Sequence, residues 1–211
     1  MHTSTKPAPT PSAAGPGAAA RDAWRRRVAR VGSDIQLAFA VLWVIRGTLA
    51  TGWPGRLPVA LILAGTTAAL AVWGTAVTRG LAPQPRGTAA RRLGRAITLA
   101  TIAQLAASCA LPFIVAAAGR PDLTITTVAI TIGILLLWLW ATLTTPGHLA
   151  AGTLLIVVPG GLALALTGNS LTAAAGLATA AILIASAVTG FRALASGALA
   201  TPAPAPEVGA E

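Results

Sequence analysis

The amino-acid sequence predicts an all-α fold, a polytopic membrane bundle of six transmembrane helices with both termini on the cytoplasmic side. Hydrophobic residues make up 55% of the 211 residues and charged residues only 9%, whereas soluble domains carry about 25% charged residues. The hydrophobic residues form runs that are long enough to cross a hydrocarbon core of about 30 Å. The basic residues, which give a formal net charge of +10, are concentrated between alternate runs, as the positive-inside rule describes.

The amino-terminal part of the chain has two sections before the first hydrophobic run. Residues 1–20 consist mostly of Pro, Ala, Gly, Ser and Thr, so we expect a disordered tail. In residues 21–32 the apolar side chains of Trp24, Val28 and Val31 recur at helical spacing among arginines. This pattern predicts a basic amphipathic helix on the inner leaflet. The alternative interpretation is that these residues are only the positive flank of the first span.

The transmembrane domain is predicted within residues 33–195. The first span covers residues 35–53 and ends at Trp53, because an indole favours the interface and the proline that follows opposes continuation of the helix. The second span, residues 57–78, contains no charged residue. The third span, residues 96–118, follows a basic loop and is interrupted only by isolated polar residues and one proline.

The second half of the domain contains three further predicted spans. Residues 123–143 form an uncharged run of ordinary transmembrane length. The fifth span, residues 149–166, is short, and the Pro-Gly-Gly sequence that begins at Pro159 is expected to break its helix. The sixth span covers residues 171–191. Alternating prolines in residues 196–211 then predict an extended, disordered tail.

The loop between the second and third spans fixes the predicted orientation. Residues 79–95 contain five arginines and no acid, and short arginine-rich loops stay on the cytoplasmic side. This loop and the two terminal segments carry twelve of the fifteen basic residues; the other three are Arg46, Arg56 and Arg120. We therefore expect a multi-pass protein of the bacterial cytoplasmic membrane whose arginines contact anionic lipid. No aromatic-basic module predicts binding to nucleic acid.

Arg46 is the only charged residue well inside a predicted span. A charge within the membrane is unfavourable, and its default interpretation is functional. Arg46 lies about 10 Å along the helix from Trp53, at 1.5 Å per residue, so its side chain can extend towards the interface. Two interpretations remain open. Arg46 is either a structural anchor, with Asp122 as its acidic partner, or a group that binds an anionic substrate or a lipid phosphate.

Four uncharged positions complete the set of candidate ligand or lipid contacts. Gln104 lies in the middle of the third span and is expected to face the bundle, for an interhelical hydrogen bond or a ligand. Thr127 and Thr131 lie on one face of the fourth span, where they either line a polar path or bond to the carbonyls of their own helix. Pro159 marks the expected helix break, and broken helices form binding sites in transporters.

Catalytic chemistry is not expected from this sequence. The predicted spans contain no Asp or Glu, which also argues against a carboxylate proton relay. No histidine or cysteine spacing typical of a metal site occurs, and no serine, histidine and acid can be combined into a hydrolytic set. We therefore expect no enzyme activity, no cofactor and no metal.

The span count, length and loop pattern over residues 30–195 resemble those of small six-helix bacterial integral membrane proteins without an assigned activity, and the Ala- and Arg-rich composition is typical of actinobacteria. The chain is also similar to export permeases that dock a separate cytoplasmic ATPase. That resemblance implies a coupling helix, for which residues 88–95 are the candidate. The sequence favours a transporter, or the membrane component of one, for a small or lipophilic solute. The alternative is a non-catalytic scaffold or partner-binding subunit, including a homo-oligomer built through small residues such as Gly176 and Ala180.

Overall fold

The computed structural model describes residues 16–82 and 85–199, and within these ranges the chain contains helices and no β-strand. The elements in chain order are α1 (Pro16–Ala50), α2 (Arg56–Val77), α3 (Thr88–Ala117), a 3₁₀ turn (Pro121–Leu123), α4 (Thr124–Leu143), α5 (Pro146–Ala165) and α6 (Gly168–Ala195). Six helices in these ranges are long and apolar enough to cross a membrane, which confirms the predicted all-α bundle with six spans. The predicted disordered tails lie largely outside the described residues, but residues 16–20 are helical rather than disordered.

The amphipathic segment and the first span form one continuous helix. Helix α1 runs for 35 residues from Pro16 to Ala50, and no proline interrupts it after its first residue. The indole Nε1 of Trp24 donates a hydrogen bond to the carbonyl oxygen of Ala90 at 2.9 Å, so this part of α1 packs against the start of α3. The structure therefore places residues 21–32 as an extension of the first span, in place of a separate helix on the leaflet.

The other helices match the predicted spans apart from their ends. Helix α3 begins at Thr88 instead of residue 96, because the alanines and arginines in the second half of the basic loop are good helix formers. Helix α5 continues without a break from Pro146 to Ala165, so the predicted interruption at Pro159 is wrong. A proline removes one backbone hydrogen bond, but in lipid no water competes for the remaining ones, and the helix persists.

Helix α1 lies at the centre of the bundle, packed along α6 and α2 and against parts of α3 and α4. Small residues allow the closest approaches. An added Cβ at Gly176 would lie 2.9 Å from the Cα of Gly47, and one at Gly133 would lie 2.8 Å from the carbonyl oxygen of Gly152. These contacts join α1 to α6 and α4 to α5, and the first of them involves Gly176, one of the small residues singled out in the sixth span.

The bundle has two distinct ends. We call one the arginine-rich end; it contains the start of α1, the α2–α3 loop, the α4–α5 connection and the end of α6. Trp73 and Trp140 are partly exposed near this end, and Trp53 is exposed at the opposite end, where interfacial indoles are favoured. Helices α2 and α3 present mainly exposed apolar side chains on their outer faces, as lipid-facing helices do.

Candidate functional site

Two adjoining cavities lie between the helices at the arginine-rich end. The first, which we call the apolar cavity, has a volume of about 180 Å³ and lies between α1, α3 and α4, with single residues of α5 and α6. The second, the hydroxyl-lined cavity, has a volume of about 150 Å³ and lies between α1, the α4–α5 connection and α6. Val28, Gln36 and His148 line both cavities. The two spaces therefore meet at these three side chains.

The amphipathic face of α1 forms one wall of both cavities. Trp24, Val28, Ile35 and Gln36 share this face at helical spacing and line the apolar cavity. The position of Trp24 depends on Gly94 of α3, because an added Cβ at Gly94 would lie 2.6 Å from the indole Cζ2. The apolar pattern that predicted a surface helix thus forms a cavity wall.

Gln36 and Ser33 are the buried polar side chains of this region. They are 8% and 3% exposed, and neither forms a hydrogen bond with the part of the chain that the structure describes. Their polar atoms remain accessible from the adjoining space, because neither residue is among those whose fully buried polar atoms lack a partner. Ser33 and Gln36 both line the hydroxyl-lined cavity, so their hydrogen-bonding capacity is directed at its contents.

A basic cap holds the α4–α5 connection in place beside the cavities. The Arg25 guanidinium donates through Nε to the carbonyl oxygen of Leu143 at 2.5 Å and through Nη2 to the hydroxyl of Thr144. It also forms an ion pair with Asp22 at 3.2 Å. A cation at the carboxyl end of α4 complements the helix dipole, and it supports Thr144 in the left-handed region, at a φ of 54°. The cap thereby positions the residues that follow.

His148 enters the site from the first turn of α5. Its Nδ1 lies 2.9 Å from the hydroxyl of Thr145, which fixes the ring and leaves Nε2 without a partner in the described chain. His148 lies between the predicted spans of residues 123–143 and 149–166 and was not among the predicted contact residues. Its neighbours Pro146 and Gly147 also line the hydroxyl-lined cavity, so the amino terminus of α5 faces that space.

Gln104 is the one predicted contact residue that lines a cavity. Its side-chain nitrogen donates to the hydroxyl of Ser108 at 2.8 Å within α3. The Ser108 hydroxyl in turn lies 3.4 Å from that of Thr131 in α4. The side chain of Gln104 is therefore connected to α4 only indirectly, through the hydroxyl of Ser108. Gln104 faces the bundle, as predicted.

The threonines of α4 bond to their own helix. Thr127 donates to the carbonyl oxygens of Leu123 and Thr124, at 3.0 Å each, and Thr131 donates to that of Val128 at 2.8 Å. Neither threonine lines the two described cavities. The geometry therefore supports hydrogen bonds to the carbonyls of the same helix and not a polar path. Pro159 is likewise buried within α5 and lies outside both cavities.

Arg46 lies on an exposed face of α1, away from both cavities. Of the interpretations left open for Arg46, the pairing with Asp122 is wrong. The Asp122 carboxylate instead accepts from Arg120 at 3.1 and 3.2 Å and from the backbone N–H of Gly168 at 3.1 Å. The hydrogen bond to Asp122 raises the pKa of Arg120. Arg46 forms no ion pair or hydrogen bond with the described residues.

Asp34 is a further polar residue that the sequence placed just outside the first span. Its Oδ1 accepts a hydrogen bond from Thr75 at 3.0 Å, and Thr75 belongs to α2. An acid therefore lies between two helices of the bundle, although the spans were expected to contain none. Among the described residues, no group of three or more His, Cys, Asp or Glu side chains could hold a metal ion.

Comparisons with protein-family models, curated proteins and solved structures return no match to this chain. The functional argument therefore depends on the two cavities and on the residues that line them.

Proposed function

We propose that this protein binds a small lipophilic solute from within the membrane and transports it, alone or as the membrane component of a transporter. The observation that carries the proposal is the apolar cavity between α1, α3 and α4. The protein acts as a carrier or channel component in this proposal and not as an enzyme.

The apolar cavity has the size and surface that such a solute needs. Its volume is about 180 Å³, and an apolar cavity of about 150 Å³ is large enough to bind benzene. Val31 and Ile35 line it and are 41% and 47% exposed, so the cavity opens at the surface of the bundle. A lipophilic solute could therefore enter from the side without passing through water.

A few polar groups within apolar walls are typical of sites that orient a ligand. Gln36, Gln104 and His148 supply such groups on three different helices. Helix α3 is the least buried of the six helices, and movement of α3 relative to α1 would open or close the cavity. Such a movement would expose the solute first to one side of the membrane and then to the other.

The proposal includes an orientation and a partner. The arginine-rich end lies in the cytoplasm of a bacterium, in accordance with the positive-inside rule. Residues 88–95 are helical as the first two turns of α3, and Arg91, Arg92 and Arg95 are exposed there. This surface is available to the acidic face of a cytoplasmic ATPase, as in the export permeases that the sequence resembles.

The test is a pair of tryptophan substitutions on α3. Thr98 and Thr101 are both exposed on α3, but only Thr101 lines the apolar cavity. Thr101→Trp fills the cavity, so we expect it to reduce efflux of a lipophilic dye from proteoliposomes, or solute-induced thermal stabilisation in nanodiscs, at least tenfold. Thr98→Trp adds the same bulk and should behave as the wild-type protein. Equal behaviour of the two variants would contradict the proposal.

Arg46 favours a second candidate function, that of a partner-binding membrane subunit. Arg46 is exposed on α1, as are Leu42 and Leu49 at helical spacing on either side of it in the sequence, and the described chain offers it no acidic partner. A carboxylate of another subunit or a lipid phosphate would satisfy it. Affinity purification in mild detergent tests this: Arg46→Leu should lose a protein that copurifies with the wild type, and Leu42→Ala should retain it. If both variants retain the same proteins, this second function is excluded.

A further inference from the structure

We infer that the hydroxyl-lined cavity binds an anionic group, a phosphate or a carboxylate, of an amphiphile whose apolar chain occupies the apolar cavity. This inference rests on the proposed function and specifies its solute class. The two cavities share Gln36 and His148, so one molecule can place its polar group and its chain in the two spaces at once.

The first argument is the state of the buried polar side chains. Ser33 and Gln36 are more than nine-tenths buried, both line the hydroxyl-lined cavity, and neither bonds to another described residue. A serine hydroxyl and a glutamine amide are both donors that can approach an oxyanion. Ser186 of α6 lines the same cavity and adds a second serine hydroxyl, from another helix.

The second argument is the amino terminus of α5. The first turn of this 20-residue helix, Pro146 to His148, borders the hydroxyl-lined cavity. The residue before it, Thr145, makes no side-chain cap to the helix. Within this turn Pro146 has no N–H and the His148 N–H donates to the carbonyl oxygen of Thr145 at 3.0 Å, which leaves the N–H of Gly147. This group and the positive end of the helix dipole favour an anion at such a place.

The third argument is the distribution of charge. Among the described residues no Asp or Glu lines either cavity, and Arg27 lines the apolar one. The two acids in this part of α1 are directed elsewhere. Asp22 pairs with Arg25, and Asp34 accepts a hydrogen bond from Thr75 of α2. An anion in the hydroxyl-lined cavity would therefore meet hydrogen-bond donors, with Arg27 in the adjoining cavity, whereas a cation would meet no carboxylate of the described residues.

The experiment compares ligands with one chain and opposite charge. The protein is placed in phosphatidylcholine nanodiscs, and binding of dodecyl phosphate and of dodecyltrimethylammonium is measured by titration. We expect dodecyl phosphate to bind at least tenfold more tightly, since a hydrogen bond to a charged group contributes about tenfold or more in affinity. A further titration adds inorganic phosphate as a competitor of dodecyl phosphate. Competition by millimolar phosphate would identify a site that also accepts free anions, and its absence would identify the amphiphile as the ligand.

Two conservative variants test the assigned residues. Ser33→Ala and Gln36→Leu remove the donors with little change in volume, and each should reduce the preference for dodecyl phosphate about tenfold without changing binding of the cation. Ser170→Ala, an exposed serine at the other end of α6, is the matched control. If anion and cation bind equally, or if the variants retain the wild-type preference, the inference is overturned. The proposed function remains supported after such a result if Thr101→Trp still weakens the binding of both ligands. It fails together with the inference if neither ligand binds.

Discussion

The crossing of α1 and α6 allows a quantitative test of the packing. A methyl group added to Gly47 would lie 2.9 Å from the backbone nitrogen of Leu177 and 3.2 Å from the carbonyl oxygen of Ala173. Both distances are shorter than the 3.4 Å at which ordinary contacts of a Cβ begin. Backbone atoms cannot rotate away as a side chain can, so Gly47→Ala must push the two helices apart. Overpacking of this kind costs about 1–3 kcal/mol.

A second glycine provides the control for this substitution. An added Cβ at Gly65 of α2 would meet nothing within 4 Å. Gly65→Ala and Gly47→Ala gain the same helix propensity, about 1 kcal/mol, so the difference between the variants isolates the steric effect. We expect the free energy of unfolding of Gly47→Ala to be about 1–3 kcal/mol lower than that of Gly65→Ala. Denaturant unfolding in one detergent measures it, and equal stability of the two variants would refute the close crossing.

Two further predictions concern the arginine-rich end. Arg25→Ala should lower the free energy of unfolding by about 1–2 kcal/mol, because it removes charged hydrogen bonds at the carboxyl end of α4. The control Arg21→Ala, at an exposed position, should change the free energy of unfolding by less than about 0.5 kcal/mol. Similar losses in both variants would contradict the capping role of Arg25. In a Cys109→Ala background, Thr51→Cys should react with a membrane-impermeant thiol reagent on intact cells and Thr88→Cys only after lysis, because the positive-inside rule places the arginine-rich end inside. The opposite labelling pattern would reverse the proposed orientation.

The fold class could be predicted from the sequence because lipid imposes a simple condition on it. Backbone groups in the hydrocarbon core must bond within the chain, so long apolar runs become helices. The same condition explains the error at Pro159. A Pro-Gly-Gly sequence ends most helices in water, but α5 continues through it, because leaving the helix would expose backbone groups to lipid.

The limits of the helices at the interface were less predictable. There, water is available, and the sequence alone did not decide whether residues 21–32 continue the first span. The structure shows that Trp24 bonds to Ala90 of α3, a contact between residues that are distant in the chain. Neither composition nor helical periodicity contains information about such a partner, and the shared apolar face of Trp24 and Val28 was consistent with lipid as well as with protein.

The candidate site was only partly predictable for a related reason. Gln104 was selected because an amide is conspicuous in the middle of an apolar run, and it does line the apolar cavity. Gln36 and Ser33 lie close to charged residues at the start of the first span, where polar side chains are common. A signal for Gln36 existed, since it continues the helical face of Trp24 and Val28, but it required the two segments of α1 to be treated as one helix.

An unpartnered polar side chain indicates a ligand only where it faces an open volume. The bundle also contains unpartnered polar groups that face no such volume, and these can be compared with Ser33 and Gln36. Besides Arg26 Nε at the arginine-rich end, four fully buried groups towards the opposite end lack hydrogen-bond partners in the described chain: Trp43 Nε1 and the hydroxyls of Thr48, Thr126 and Thr179. They surround the tight crossing of Gly47 and Gly176, and none of them lines either described cavity. Their unsatisfied groups accompany close helix packing, whereas those of Ser33 and Gln36 face an open volume beside a helix amino terminus. The binding argument therefore depends on the combination of burial, missing partners and adjacent space, which occurs at the arginine-rich end.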